Sequence, residues 1–261
     1  MLLEIDHVTL RFAGNTAISD VAFDVAEGSI RSVIGPNGAG KTSLVNCITG
    51  FYHPQEGEVR LGGKSLRGSK PSAITELGIS RTFQNVRLFQ NMSVTENVMA
   101  GQHCRTRAGA VGAILQLPGQ RAEEQQVREV TTECLEFVGL SHEADRIGTT
   151  LPYGHQRLVE IARALATQPR LILLDEPAAG LHTGEKNELI KLIQRIRDER
   201  NVSVLLIEHD MGLVMKVSDQ IAVLDHGRKI ADGNPEEIQN NPDVIEAYLG
   251  QEGEDEDLEL A

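Results

Sequence analysis

Gly35-Pro36-Asn37-Gly38-Ala39-Gly40-Lys41-Thr42 fits the pattern G-x-x-x-x-G-K-[ST] at every fixed position. In such a loop the glycines let successive backbone N–H groups turn inward around phosphate oxygens. A helix beginning at Lys41 presents its positive end to the same anion. Lys41 adds a charge for the β and γ phosphates, and the Thr42 hydroxyl can ligate Mg²⁺. A second segment supplies the matching acids. Leu171-Ile172-Leu173-Leu174 leads into Asp175-Glu176-Pro177, the layout of a buried strand whose C-terminal end delivers carboxylates. Asp175 is placed to hold Mg²⁺ (directly or through water), and Glu176 to orient and deprotonate an attacking water. No Asn-Lys-x-Asp guanine-reading motif occurs in the chain, which counts against a GTPase.

The elements around these motifs are those the chemistry needs. Leu3 and Ile5, then Val8, Leu10 and Phe12, keep a two-residue period with one slip near His7. Val21, Phe23 and Val25 alternate again before a turn at Glu27-Gly28. Both stretches read as strands. Ile30 to Ile34 runs as a strand into the phosphate loop, Lys41 to Thr49 reads as a helix, and Val59-Arg60-Leu61 as a short strand. From about Ser93 to Val138 the pattern is helical, through Val94, Val98, Val127, Val130, Cys134, Leu135 and Val138. Within it Ala108 to Gln120 is either a loop or a short, weakly amphipathic helix. Leu171 to Leu174, Val202 to Ile207 and Ile221 to Leu224 read as buried strands of a parallel sheet. Glu185 to Arg200 forms an amphipathic helix on Leu189, Leu192, Ile193 and Ile196. His226-Gly227 turns the chain into a last hairpin strand, Lys229 to Ala231.

Composition sets limits on partners. The 261 residues are 40% hydrophobic and 24% charged, enough apolar material for a large core. With 25 Lys plus Arg against 38 Asp plus Glu, the net charge is −13. That disfavours nucleic-acid binding, which relies on clustered basic residues. No apolar run approaches the roughly 20 residues a membrane-crossing helix needs, and the start does not read as a signal peptide. Cys47, Cys104 and Cys134 are odd in number and widely spaced, as expected for reduced thiols rather than a disulfide framework. The run from Glu252 to Glu259 is rich in carboxylates and reads as a solvated, disordered end.

Further pieces follow in a fixed order. Gln84 lies in Arg81-Thr82-Phe83-Gln84, just after the strand-like Gly78-Ile79-Ser80. Leu151-Pro152-Tyr153-Gly154-His155-Gln156-Arg157 opens a helix from Leu158 to Thr167, about twenty residues before Asp175. His209 follows a strand within Leu206-Ile207-Glu208-His209-Asp210. Phosphate loop, Gln, Gly-bearing helix start, Asp-Glu and His, in this order from Leu3 to Gly250, resemble the ATP-binding subunit of an ABC transporter. Arg81 to Phe89, the Leu-Pro-Tyr-Gly start, Ile207 to Met211 and Pro235 to Gly250 are similar to one subgroup, the G-type ATPase of branched-chain amino acid importers. Amide and urea importers share much of this pattern.

The resemblance implies an α/β fold: a P-loop ATPase core with a mostly parallel sheet, an N-terminal antiparallel β subdomain and an inserted α-helical subdomain. It implies one domain over residues 1–250, with 1–87 and 157–250 as core and 88–156 as helical subdomain, followed by an acidic tail over 251–261. The cofactors it implies are ATP and Mg²⁺. Residues 35–42 and Ser43 would hold the phosphates and Phe12 would stack on adenine, although Phe12 also suits a packed strand end. Gln84 would touch Mg²⁺ or the lytic water, and His209 would bond the γ-phosphate and help hold Glu176 in line. Tyr153, Gly154 and His155 would meet the nucleotide of an opposing subunit.

It also implies the partners. These are a second ABC ATPase subunit (the same or a paralogue), integral-membrane permeases and, indirectly, an extracytoplasmic solute-binding protein. The chain would then sit peripherally on the cytoplasmic face of the membrane. Leu88 and Phe89 are candidates either for the permease contact or for core packing. Three positions depart from the general pattern. Pro152 and His155 alter the usual Leu-Ser-Gly-Gly-Gln, and His182 stands where Asp or Asn is common. These departures admit a subunit that binds ATP without hydrolysing it. A soluble relative acting on ribosomes or DNA is a weaker fit, because the chain has a single ATPase half and no long heptads.

Overall fold

The computed structural model describes residues 1–104 and 118–248. Strands β1 (Leu3–Phe12) and β2 (Asn15–Val25) form a hairpin, and β4 (Glu56–Leu61) with β5 (Lys64–Ser65) extends it. The resulting antiparallel sheet has the order β2-β1-β4-β5. The slip in periodicity near His7 is a bulge: register with β2 shifts between Ile5 and Val8, and His7 has φ 48°. The extra residue returns Val8 and Leu10 to the buried face.

A six-stranded sheet forms the centre. It contains β3 (Ile30–Ile34), β6 (Ile79–Arg81), β7 (Leu171–Asp175), β8 (Ser203–Ile207), β9 (Gln220–Asp225) and β10 (Arg228–Gly233). The order is β10-β9-β3-β8-β7-β6. Every pair is parallel except the β9–β10 hairpin at one edge. The apolar runs follow from this position. Ile172, Leu174, Val204 and Leu206 enter one core, whereas Leu171, Leu173, Leu205 and Ile207 enter another on the opposite face. Strands covered on both faces have no solvated side on which to place polar residues.

Helices α1 (Lys41–Ile48), α2 (Pro71–Leu77), α3 (Val94–Ala100), α4 (Pro118–Phe137), α5 (Tyr153–Ala166), α6 (Thr183–Arg200), α7 (Met211–Val217) and α8 (Pro235–Gln239) cover the sheets, with a further helix over 242–248. α1 lies in the core shared by the two sheets, with Leu44, Val45 and Ile48 buried beside Leu3, Ile5 and Val33. α3, α4 and α5 pack together through Val94, Val98, Cys134, Leu135, Val138, Val159 and Ala162. α3 starts with a capping box between Ser93 and Glu96, which satisfies two of the backbone donors that a helix start leaves open. The fold is therefore the expected one: a mostly parallel core sheet, an N-terminal antiparallel sheet and an inserted helical layer.

One boundary needs correction. The helix expected from Leu158 begins earlier, at Tyr153, with Pro152 as its N-cap. Proline suits a helix entry because its φ is fixed and its missing N–H is not needed there. The low helix propensity of Gly154 hides the first turn from a periodicity reading. Of the ambiguous stretch Ala108 to Gln120, residues 108–117 lie outside the described residues, and α4 begins at Pro118. The acidic stretch Glu252 to Glu259 also lies outside them.

Burial pushes the Cys47 thiol up to about 12 and the Cys134 thiol up to about 11. Because the thiolate is the reactive form, alkylation of Cys47 at pH 8 is expected to be on the order of 10³-fold slower than that of a free thiol. Mass-spectrometric counting of labelled cysteines, native against denatured, checks this; rapid native labelling of Cys47 would contradict its buried position.

Candidate functional site

The phosphate loop joins β3 to α1 as expected. Gly35 has φ 148°, and a Cβ there would sit 2.0 Å from the Leu224 carbonyl oxygen, so no side chain fits. Lys41 Nζ donates to the carbonyls of Gly35 at 2.6 Å and Pro36 at 2.9 Å, closing the loop around its ammonium. No side chain caps the first turn of α1, which leaves the leading N–H groups for an anion. Thr42 is exposed and Ser43 half-buried at this turn. Burial lowers the pKa of Lys41, and the charges of Glu176 and Asp175 oppose that shift. Both carboxylates therefore act on the same ammonium.

Three further side chains reach this place from adjacent strands. Gln84 follows β6, Glu176 follows β7, and His209 follows β8, all at the carboxyl end of a parallel sheet, where open α/β sheets bind ligands. Gln84 Nε2 donates to Glu176 Oε2 at 2.8 Å. His209 Nδ1 lies 3.8 Å from that same oxygen. Glu176 has φ 46°, and its N–H donates to the Ile207 carbonyl at 2.8 Å. A non-glycine residue in the left-handed region is uncommon and costs energy, and such conformations cluster at functional sites.

Asp175 is buried at the end of β7. Its Oδ2 accepts from Arg81 Nη2 at 2.7 Å, and Arg81 Nη1 donates to Asn46 Oδ1 of α1 at 2.8 Å. Neither Arg81 nor Asn46 stood out in the sequence as a site residue. Glu208 is a second omission. It is fully buried and accepts from the N–H groups of Ala178 at 2.8 Å, His209 at 2.9 Å and Asp210 at 3.1 Å. A single carboxylate thus fastens the loop after Glu176 to the loop that carries His209. The signal for it is an acid directly after the apolar run Val204 to Ile207.

The residues of the Leu-Pro-Tyr-Gly segment form a separate group. Gly154 packs so closely on α6 that a Cβ would come within 2.4 Å of Glu185 Oε1. The Tyr153 ring lies against Gly180, and its hydroxyl accepts from Arg157 Nη2 at 3.1 Å. His155 is half-buried, with Nδ1 3.8 Å from Glu143 Oε1. His182, in place of the usual Asp or Asn, still caps a helix. Its Nδ1 accepts from the Glu185 N–H at 3.3 Å, completing the capping box of α6.

Phe12 is 42% exposed and meets Tyr52 edge-on with ring centroids 5.0 Å apart, so its ring is not a packed strand end. The choice at Leu88 and Phe89 splits. Leu88 packs on the core, whereas Phe89 is exposed under the Arg163 guanidinium. Asn97 holds this loop, accepting from the Phe89 N–H at 2.8 Å and donating to the Met92 and Ser93 carbonyls.

These residues fit a nucleotide with its metal. The loop offers a buried ammonium, an uncapped helix start and glycines at its positive-φ positions, all suited to a polyphosphate. Among the described residues, no group of three or more His, Cys, Asp and Glu could hold a metal ion by itself. Mg²⁺ binds through one or two protein oxygens plus substrate phosphates, and Thr42, Asp175 and Gln84 are the candidate oxygens. No helix among the described residues is long and apolar enough to cross a membrane.

A family model described as "ABC transporter" matches residues 18–179, and one described as "Branched-chain amino acid ATP-binding cassette transporter" matches residues 228–254. The high-affinity branched-chain amino acid transport ATP-binding protein BraF of Pseudomonas aeruginosa is 47% identical over 250 residues, covering 96% of this chain and 98% of its own. The corresponding LivG protein of Salmonella typhimurium is 46% identical over the same shares. Among solved structures, the ADP conformation of MJ1267, an ATP-binding cassette of an ABC transporter, superposes with a TM-score of 0.83 at 32% identity. It covers 95% of this chain and 98% of that one. With the phosphate loop, the Gln84–Glu176–His209 grouping and full-length similarity in agreement, this chain belongs to the ABC transporter family, as one of its ATP-binding subunits.

Proposed function

We propose that the chain hydrolyses ATP with Mg²⁺ to drive an importer of branched-chain amino acids. The observation that carries the hydrolytic reading is the Glu176 carboxylate, 2.8 Å from Gln84, 3.8 Å from His209 and electrostatically coupled to Lys41. Lys41 and the main-chain N–H groups of Gly35 and of residues 37–43 bind the phosphates, and Phe12 stacks on the base. Glu176 accepts the proton of the attacking water, while Gln84 and His209 keep that carboxylate and the water in line. Magnesium, when bound, would neutralise charge that builds on the phosphate oxygens. Thr42, Asp175 and Gln84 would hold it.

The Tyr153-Gly154-His155 turn closes over the nucleotide of a second ATPase subunit, so that nucleotide joins the pair. Closure requires that ATP bind the closed pair more tightly than the open one. Residues 1–87 and 157–250 act as the core and 88–156 as the moving helical part, with α5 as the joint between them. Exposed Phe89 meets an integral-membrane permease on the cytoplasmic face, and an extracytoplasmic binding protein delivers the solute. The solute is supported by the names of the relatives and by the C-terminal family match.

Reconstitution with its permeases and binding protein in proteoliposomes tests this function. ATP-driven uptake of labelled leucine is expected, competed by isoleucine and valine but not by urea or short amides. Amide uptake without leucine uptake would transfer the chain to the amide and urea importers. Nucleotide binding without any ATP turnover would leave a regulatory subunit.

A further inference from the structure

Gln84 is held from two sides. Its side-chain amide donates to Glu176, while its main-chain carbonyl accepts from Arg157 Nη2 at 2.6 Å. Arg157 Nη1 donates to the neighbouring Phe83 carbonyl at 2.5 Å and to Glu160 Oε2 at 3.0 Å. Glu160 Oε1 accepts from the Phe83 N–H at 3.3 Å and lies 3.6 Å from Arg163 Nη2. The Arg157 and Glu160 side chains are 0% and 1% exposed.

A buried ion pair is weak support for stability, because desolvating both charges offsets their attraction. Packing alone does not explain this pair, since apolar side chains would fill the same volume. The direction of its bonds is informative. Arg157 Nε is buried without a hydrogen-bond partner, yet both terminal nitrogens reach successive carbonyls of the segment that carries Gln84. A rigid planar fork suits a task of location, which a flexible point-charge ammonium cannot reproduce. Arg157 also reaches back to the first turn of α5, where its Nη2 donates to the Tyr153 hydroxyl.

We propose that Arg157, braced by Glu160, is a positioning residue for Gln84. It sets the main chain at Phe83 and Gln84, and so sets the reach of the Gln84 amide to Glu176. Movement of the α5 start then passes to the Glu176 carboxylate within one subunit, through two carbonyls and one amide. The inference rests on the hydrolytic reading of Glu176 given above.

The test is a double-mutant cycle on the full chain with four forms: unaltered, Arg157→Lys, Gln84→Ala and the double variant. Hydrolysis gives kcat and KM, a fluorescent ATP analogue gives affinity, and thermal unfolding gives stability. Arg157→Lys is expected to lower kcat by about 10–100-fold, as small misplacements near reacting groups do, with analogue affinity unchanged. In the Gln84→Ala background the same substitution is expected to have no further effect on kcat. Effects that multiply, or an unchanged kcat in Arg157→Lys, would overturn the proposal, because a merely structural arginine acts independently of Gln84. Should Arg157→Lys fail to fold, Glu160→Gln runs the same cycle. It keeps an acceptor for Phe83 and removes the charge that braces Arg157, with a smaller fall expected and the same silence over Gln84→Ala. Substantial hydrolysis by Glu176→Gln would sink the underlying reading separately from the cycle.

Discussion

Glu176→Gln is expected to bind ATP as the unaltered chain does and to hydrolyse it roughly 10²–10⁴-fold more slowly, the range a general base contributes. The substitution preserves size and leaves an oxygen that can still accept from Gln84 Nε2. It also keeps the main-chain bond to Ile207, since the N–H is unchanged. What it removes is a carboxylate able to take a proton from water. With chemistry blocked and binding intact, ATP should hold two subunits in the closed pair. Phosphate release and size-exclusion chromatography with and without ATP measure the two effects. Turnover within about threefold of the unaltered chain would exclude Glu176 as the base.

Lys41→Ala is expected to weaken ATP binding by roughly 10–100-fold, corresponding to about 1.5–3 kcal/mol for a hydrogen-bonded charge. Lys41 is buried and already bridges the carbonyls of Gly35 and Pro36. Its loss therefore removes a cation for the phosphates and the donor that ties the loop together. The charges of Glu176 and Asp175 would then face an incoming polyphosphate without that counter-charge. Titration with a fluorescent ATP analogue reads the change, and unaltered affinity would refute the phosphate assignment. Comparison with Glu176→Gln separates binding from chemistry, because only the lysine variant should lose affinity.

Much of the fold was legible because its signals are local. The phosphate loop works through contiguous backbone, and β7 and β8 declare their double-sided burial in the apolar runs Leu171 to Leu174 and Val204 to Ile207. The slip in periodicity near His7 was visible in the sequence, and the structure gives it a cause, a bulge. Legibility failed where local propensity and tertiary position disagree. Pro152 and Gly154 looked like a loop leading into a helix, yet the helix starts at Tyr153 with Pro152 as its N-cap and Gly154 faces the Glu185 side chain of α6. At Phe89 the sequence offered two uses for an aromatic residue, and only packing around Asn97 and Arg163 placed it outside.

The amino-acid sequence by itself determined that this chain binds a polyphosphate, carries an acid pair after a buried strand and follows the order of an ABC ATPase. Those properties reside in short motifs whose residues act together within a few positions. Tertiary structure alone decided which distant side chains serve those motifs. Arg81 meets Asp175, Arg157 meets the Gln84 carbonyl and Glu208 meets the Ala178 N–H across 94, 73 and 30 positions of sequence. Such contacts depend on the register and order of β6, β7 and β8 and on how α5 packs on them. A charged residue carries no local mark of the partner that these long-range arrangements bring to it.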